Sequence, residues 1–163
     1  MKKLLLGAAL IAIAFLTTGC STQSNVTTNA TSMQITQMLA NGEYSIDFYR
    51  MDPLGGSSKT LTTPYNIQVS GGKVQSYLPY FGRAYSLPYG GGEGLSFTSD
   101  VTDYNVKPGK KKSQIVTFSA RTTEDRYDFN IQVFENGRSY MTVTPNNKQS
   151  ISFDGELMPV KEN

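Results

Sequence analysis

The chain has one thiol, Cys20, and no histidine in its 163 residues. That excludes Ser-His-Asp and Cys-His nucleophiles, zinc sites built on His or Cys, and any internal disulfide. Little else in the sequence is typed for catalysis. Glu124-Asp125 and Asp154-Gly155-Glu156 are carboxylate clusters. Two carboxylates are the minimum for a glycosidase, but sequence spacing does not set them across a sugar. Calcium asks for three or more oxygen ligands in one loop, which neither cluster supplies, and both read as surface. Gly90-Gly91-Gly92-Glu93-Gly94 lacks the Lys-Ser/Thr of a phosphate loop, and a strand pattern follows it instead of a helix. No catalytic residue, metal ligand or cofactor is assigned, and the chain reads as a non-enzyme.

The densest constellation runs from Ser76 to Gly94, with four Tyr, one Phe, one Arg and five Gly in 19 residues. Tyr rings beside an arginine can stack on a flat ligand or a sugar face, and glycines let backbone approach a ligand closely. Tyr80, Arg83, Tyr85 and Tyr89 are therefore the candidate ligand-binding residues. The competing reading has the aromatics cap one end of a barrel and the glycines make its bend. Arg83 separates the two, being exposed in a binding surface and enclosed in a structural one. Tyr77 and Phe81 are assigned to the structural role.

Cys20 belongs to a processing signal. Lys2 and Lys3 precede 13 residues, Leu4 to Leu16, that are apolar but for Gly7, and Thr17-Thr18-Gly19-Cys20 follow. A basic start, an apolar stretch too short to span a bilayer and a small residue before the cut make a secretory signal. The cut site resembles a bacterial lipobox, with Thr17 standing at the usual Leu position and Leu16 one place early. In that pathway Cys20 carries the lipid, and two or more acyl chains hold a protein firmly on a membrane. Ser21, which is not Asp, directs the anchored protein to the outer membrane, facing the periplasm. Removing Lys2 and Lys3 from 15 basic residues leaves 13 against 13 acidic ones, so the sequence gives no support to a nucleic-acid partner.

These residues need a frame. Residues 1–19 read as signal peptide, 20–32 as lipidated Cys and polar tether, and 33–163 as a single β-rich domain. The tether is Ser, Thr, Asn and Gln with too few apolar groups to fold. Ser32 to Asn41 predicts a short helix, with Ser32 as N-cap, Ile35, Met38 and Leu39 on one face, and Gly42 as its stop. Thereafter the apolar period is two. Gly71-Gly72 predicts a tight hairpin pairing Val69 with Val74 and Tyr65 with Leu78. Leu95 and Phe97 begin one strand, and Tyr104 and Val106 belong to the next. Glu135-Asn136-Gly137 predicts a three-residue loop, with Gly137 at positive φ, pairing Phe129 with Val143 and Ile131 with Met141. The expected fold is α+β, mostly β: a short N-terminal helix, then about eight antiparallel strands in a curved sheet or partly open barrel. Lys110-Lys111-Lys112, at a further turn, can touch anionic headgroups or lipopolysaccharide phosphates. Such a run is more often a solvated hairpin tip that also discourages edge pairing.

The stretch Ser76-Tyr-Leu-Pro-Tyr-Phe-Gly-Arg-Ala-Tyr-Ser86, then Pro88-Tyr-Gly-Gly-Gly92 and Leu95-Ser-Phe97, resembles the uncharacterised Bacteroidetes lipoproteins grouped as domain of unknown function 4251. Gln149-Ser-Ile-Ser-Phe-Asp-Gly155 is similar to that family too, and the likeness covers most of Met33 to Leu157. It implies an envelope-targeted bacterial protein and brings no catalytic residues with it. The first functional expectation is a non-enzymatic cell-envelope lipoprotein, held on the membrane by its lipid anchor, that binds an envelope protein or a ligand through the Tyr/Arg/Gly segment. A structural or assembly factor without a small-molecule site comes next, and a carboxylate-based hydrolase last.

Overall fold

The computed structural model describes residues 23–83 and 95–160, and of 23–30 the backbone only. One helix, α1 (Gln23–Asn41), precedes eight strands: β1 (Tyr44–Pro53), β2 (Lys59–Ser70), β3 (Lys73–Leu78), β4 (Leu95–Pro108), β5 (Ser113–Arg121), β6 (Arg126–Phe134), β7 (Arg138–Pro145) and β8 (Ile151–Met158). Each strand pairs antiparallel with the next, and β8 returns to β1, so the sheet closes into a barrel.

Alternation along the strands fills this barrel. Ile67, Val69, Val74, Val116, Ile131, Val133, Met141, Val143 and Phe153 all point inward and are essentially inaccessible. Phe118 stacks on Phe129 at 4.6 Å and Phe97 on Tyr127 at 4.5 Å, while Phe48 meets Phe153 at 5.3 Å. An eight-stranded barrel is just wide enough for such side chains to fill it. Each large apolar residue so buried contributes about 1.5–3 kcal/mol. The outer wall is polar. Asp52, Ser152, Thr142, Asn130, Thr117 and Asn105 form one continuous row across six strands. Polar outside and apolar inside is the reverse of a lipid-embedded barrel.

The helix plugs one mouth. Ile35 and Leu39 enter the core with Met38 beside them, and the Tyr104 hydroxyl donates to the Leu39 carbonyl at 2.5 Å. Gly42, at φ +66°, ends the helix: its N–H bonds the Leu39 carbonyl, and that of Glu43 bonds Met38. This is the paired closure that a left-handed glycine allows. The helix begins at Gln23, nine residues before the expected N-cap. Ser32 lies inside it, its carbonyl accepting from the Thr36 hydroxyl at 2.9 Å. Most of the expected tether is thus helical. Once Ile35 and Leu39 dock a helical turn, adding residues to it carries no nucleation cost, and a polar sequence can continue it.

Both hairpin registers follow the apolar pattern. Val69 faces Val74 across Gly71 and Gly72, both at positive φ, and the ladder runs to Asn66 opposite Tyr77, one pair short of Tyr65 and Leu78. Phe129 faces Val143 and Ile131 faces Met141, with Gly137 at φ +84°. The two strands expected around Phe97 and Tyr104 are one, β4. It is bent where the register shifts between Thr102 and Asn105, with Asp103 at φ +56°. A bulge there breaks the alternation without ending the strand.

Candidate functional site

The mouth opposite the helix gathers the connections β1–β2, β3–β4, β5–β6 and β7–β8. The expected binding segment lies in the β3–β4 connection. Of its candidates, Tyr80 and Arg83 are described, while Tyr85 and Tyr89 fall outside the described residues, as does Cys20.

Residues 79–83 form a strap bound to the β7–β8 connection. The Gln149 N–H donates to the Arg83 carbonyl at 3.0 Å, and the Arg83 N–H donates to Gln149 Oε1 at 3.3 Å. The Tyr80 hydroxyl lies 3.0 Å from the Arg83 carbonyl and 3.1 Å from that of Gln149, so its single proton serves both. Gly82 lets the strap fold this tightly, since a Cβ there would sit 2.6 Å from the Tyr80 oxygen. Tyr80 thus braces the strap, while Arg83 is exposed and held by its backbone. The structure divides two residues that the sequence put in one role.

Tyr77 and Phe81, assigned to the structural role, are corrected: both are about half exposed, at 49% and 47%. Tyr77 alternates outward from the β3 ladder and meets Tyr65 at 5.3 Å, and Phe81 lies under the Lys59 ammonium, 4.2 Å from its ring centroid. Lys148, itself buried, holds its ammonium 5.5 Å from the Tyr80 ring. The rim therefore presents aromatic faces with cations against them, an arrangement suited to flat or aromatic ligands.

Asp125 corrects a second expectation. It is buried, not surface, because it ties two rim loops together. Its Oδ1 accepts from the Arg126 N–H at 2.8 Å and from Asn147 Nδ2 at 3.2 Å, and its Oδ2 from the Asn147 N–H at 3.1 Å. Asp154 is also largely enclosed. It lies 2.6 Å from the Arg50 guanidinium on the outer wall, and that guanidinium also meets Asp52 at 3.3 Å. Gln149 and Asp125 are supports whose bracing role the sequence did not reveal. Gln149 opens the second motif that carried the family resemblance, and Asp125 stood out only as half of a carboxylate pair expected at the surface.

The architecture defines a class: a closed eight-stranded antiparallel barrel, water-facing outside, plugged by a helix at one mouth and carrying its long connections at the other. Within that class the chain belongs to the family described as a domain of unknown function, DUF4251, whose model matches residues 27–157. A solved structure of a DUF4251 family protein from Bacteroides eggerthii is similar in fold. Its TM-score is 0.59 at 17% identity, over 80% of this chain and 88% of that one. No curated protein matches.

Proposed function

We propose that the chain is a non-enzymatic lipoprotein of the bacterial cell envelope, anchored through Cys20 to the outer membrane and facing the periplasm, and that its aromatic rim binds a partner or ligand. One observation carries the binding reading: the strap is fixed by its backbone and by Tyr80, while Arg83, Phe81 and Tyr77 are turned to solvent. Side chains needed only for folding would be enclosed. A rigid support that spends its own hydrogen bonds and offers its rings and guanidinium outward is pre-organised for contact. The carboxylates do not favour hydrolysis, since Asp125 is committed to Asn147 and Asp154 to Arg50.

The anchor is tested by labelling cells with a radioactive fatty acid. The wild type takes label and Cys20→Ser does not; equal labelling removes the lipoprotein reading. The rim is tested by Arg83→Ala. Stability should stay within about 0.5 kcal/mol, as exposed positions allow. Photo-crosslinking to envelope components from a probe at Phe81 should weaken in that variant. The structural-factor reading rests on Tyr80, whose hydroxyl serves the fold; it expects Arg83→Ala to leave the crosslinks unchanged, while Tyr80→Phe lowers stability by about 0.5–1.5 kcal/mol.

A further inference from the structure

The plugged mouth carries a charged feature that the rim function does not use. The β4–β5 turn displays Lys110, Lys111 and Lys112, all exposed. Arg138, which opens β7 just after the neighbouring β6–β7 turn, lines a depression with Lys111 and Lys112. Two carboxylates stand close. Glu135 is 3.8 Å from the Lys112 ammonium, which remains 82% exposed, and Glu156 faces Arg138 across the ladder. The patch keeps a net positive charge.

Two observations say that this charge is more than a solvated tip. Lys111 and Lys112 both sit at φ +55°, a region that glycine enters freely and lysine does not. The other tight turns on this mouth put glycine there, at Gly71, Gly72 and Gly137. Lysine occupies these two positions against the backbone preference. The role of guarding an edge strand is also vacant, because the barrel closes and has no edge.

The path of the chain names the surface that this turn would meet. Ser32 and Thr36 of α1 share a depression with Lys112 and Glu135, so the helix leaves the barrel mouth beside the lysines. From Ser32 back to Gln23 the helix extends about 13 Å at 1.5 Å per residue. Cys20 lies only three residues before Gln23.

We propose that the Lys110-Lys111-Lys112 turn, with Arg138 beside it, docks on anionic phospholipid headgroups. The barrel then stands on the membrane by its plugged mouth, with the aromatic rim turned away. Headgroup docking does not need the lipid anchor; the orientation rests on the anchor reading.

The chain from residue 21 onward keeps every core residue from Ile35 to Leu157, and circular dichroism would verify its fold. It is mixed with phosphatidylcholine vesicles, with or without a one-third share of phosphatidylglycerol, at low salt. Binding to the anionic vesicles should be at least about tenfold tighter, given the attraction each lysine adds near such a surface. The Lys110→Gln, Lys111→Gln, Lys112→Gln variant should lose that preference, and Lys59→Gln with Arg121→Gln, on the opposite mouth, should keep it. Equal binding to the two vesicles, or a triple variant that binds like wild type, overturns the proposal. So does loss of binding to inorganic phosphate at constant ionic strength, which would reveal a free-anion site. With Cys20 absent, this result is independent of the labelling experiment. In the lipidated full chain, a soluble amine reagent should modify Lys110–Lys112 more slowly on anionic than on neutral vesicles, with Lys59 unchanged. Equal rates overturn the orientation.

Discussion

At the scale of single residues, burial decides what polar side chains do. Tyr44 is fully enclosed, and its hydroxyl finds no hydrogen-bond partner among the described residues. The Tyr104 hydroxyl beside it acts on it by charge and by a contact too loose to make a full hydrogen bond, and that group donates to the Leu39 carbonyl. Burial pushes Tyr44 well above the ordinary tyrosine range, and it raises Tyr104 and Tyr127 as well. The sign follows from the neutral form being the one that folds. In the unfolded chain these phenols ionise near pH 10, while in the barrel they resist. Stability is therefore intact below about pH 10 and is lost as pH climbs toward the folded values. Tyr44→Phe removes an unsatisfied buried group, which costs about 1–3 kcal/mol when left unpaired. The variant should be at least as stable as wild type near neutral pH and should lose less stability on going to about pH 11. Urea denaturation followed by far-ultraviolet circular dichroism at both pH values checks this. A variant with the wild-type alkaline slope would show that Tyr44 carries none of the effect.

At the scale of elements, the turns hold the registers. Gly137 closes the β6–β7 loop at φ +84°, where its N–H bonds the Phe134 carbonyl and its carbonyl accepts from Leu157. A β-branched residue is strained there, and Gly137→Val should destabilise by about 1–3 kcal/mol. An unchanged denaturation midpoint would contradict the turn geometry. This loop and the Gly71-Gly72 turn were legible in the sequence because a one-residue slip would turn a whole apolar set to solvent. β4 was not, because Asp103 breaks its alternation at a bulge, and a bulge looks like a gap between two strands. The length of α1 was hidden for another reason: Thr and Asn have poor helix propensity, and docking further along overrides it. The site was legible in part. Aromatic and glycine density located the segment. The split between bracing Tyr80 and exposed Arg83 depends on Gln149, which is distant in sequence and adjacent only after β7 and β8 have folded.

At the scale of the whole molecule, closure is the decisive event, because it unites the first and last strands. Pairing β1 with β8 brings Phe48 opposite Gly155 and Ile46 opposite Leu157, contacts of very high sequence separation. The seam is tight. A Cβ on Gly155 would lie 2.5 Å from the Asp47 carbonyl oxygen, 2.7 Å from a Phe48 ring carbon and 3.0 Å from Ile46 Cγ2. The first of these is backbone in a paired strand and cannot move without breaking the ladder, and the Phe48 ring is packed on Phe153. The bend of β1 between Phe48 and Arg50 falls at this point, so the glycine and the bulge fit one another. Gly155→Ala adds only one carbon, yet overpacking of this kind costs about 1–3 kcal/mol and more where backbone must give. We expect at least about 2 kcal/mol of destabilisation, read as a lower urea midpoint by circular dichroism. Amide exchange should show the loss spread along the β1–β8 seam, with the β5–β6 pairing least affected. A variant with the wild-type midpoint would mean that the two strands can separate to admit a methyl group, and that the barrel is held closed elsewhere.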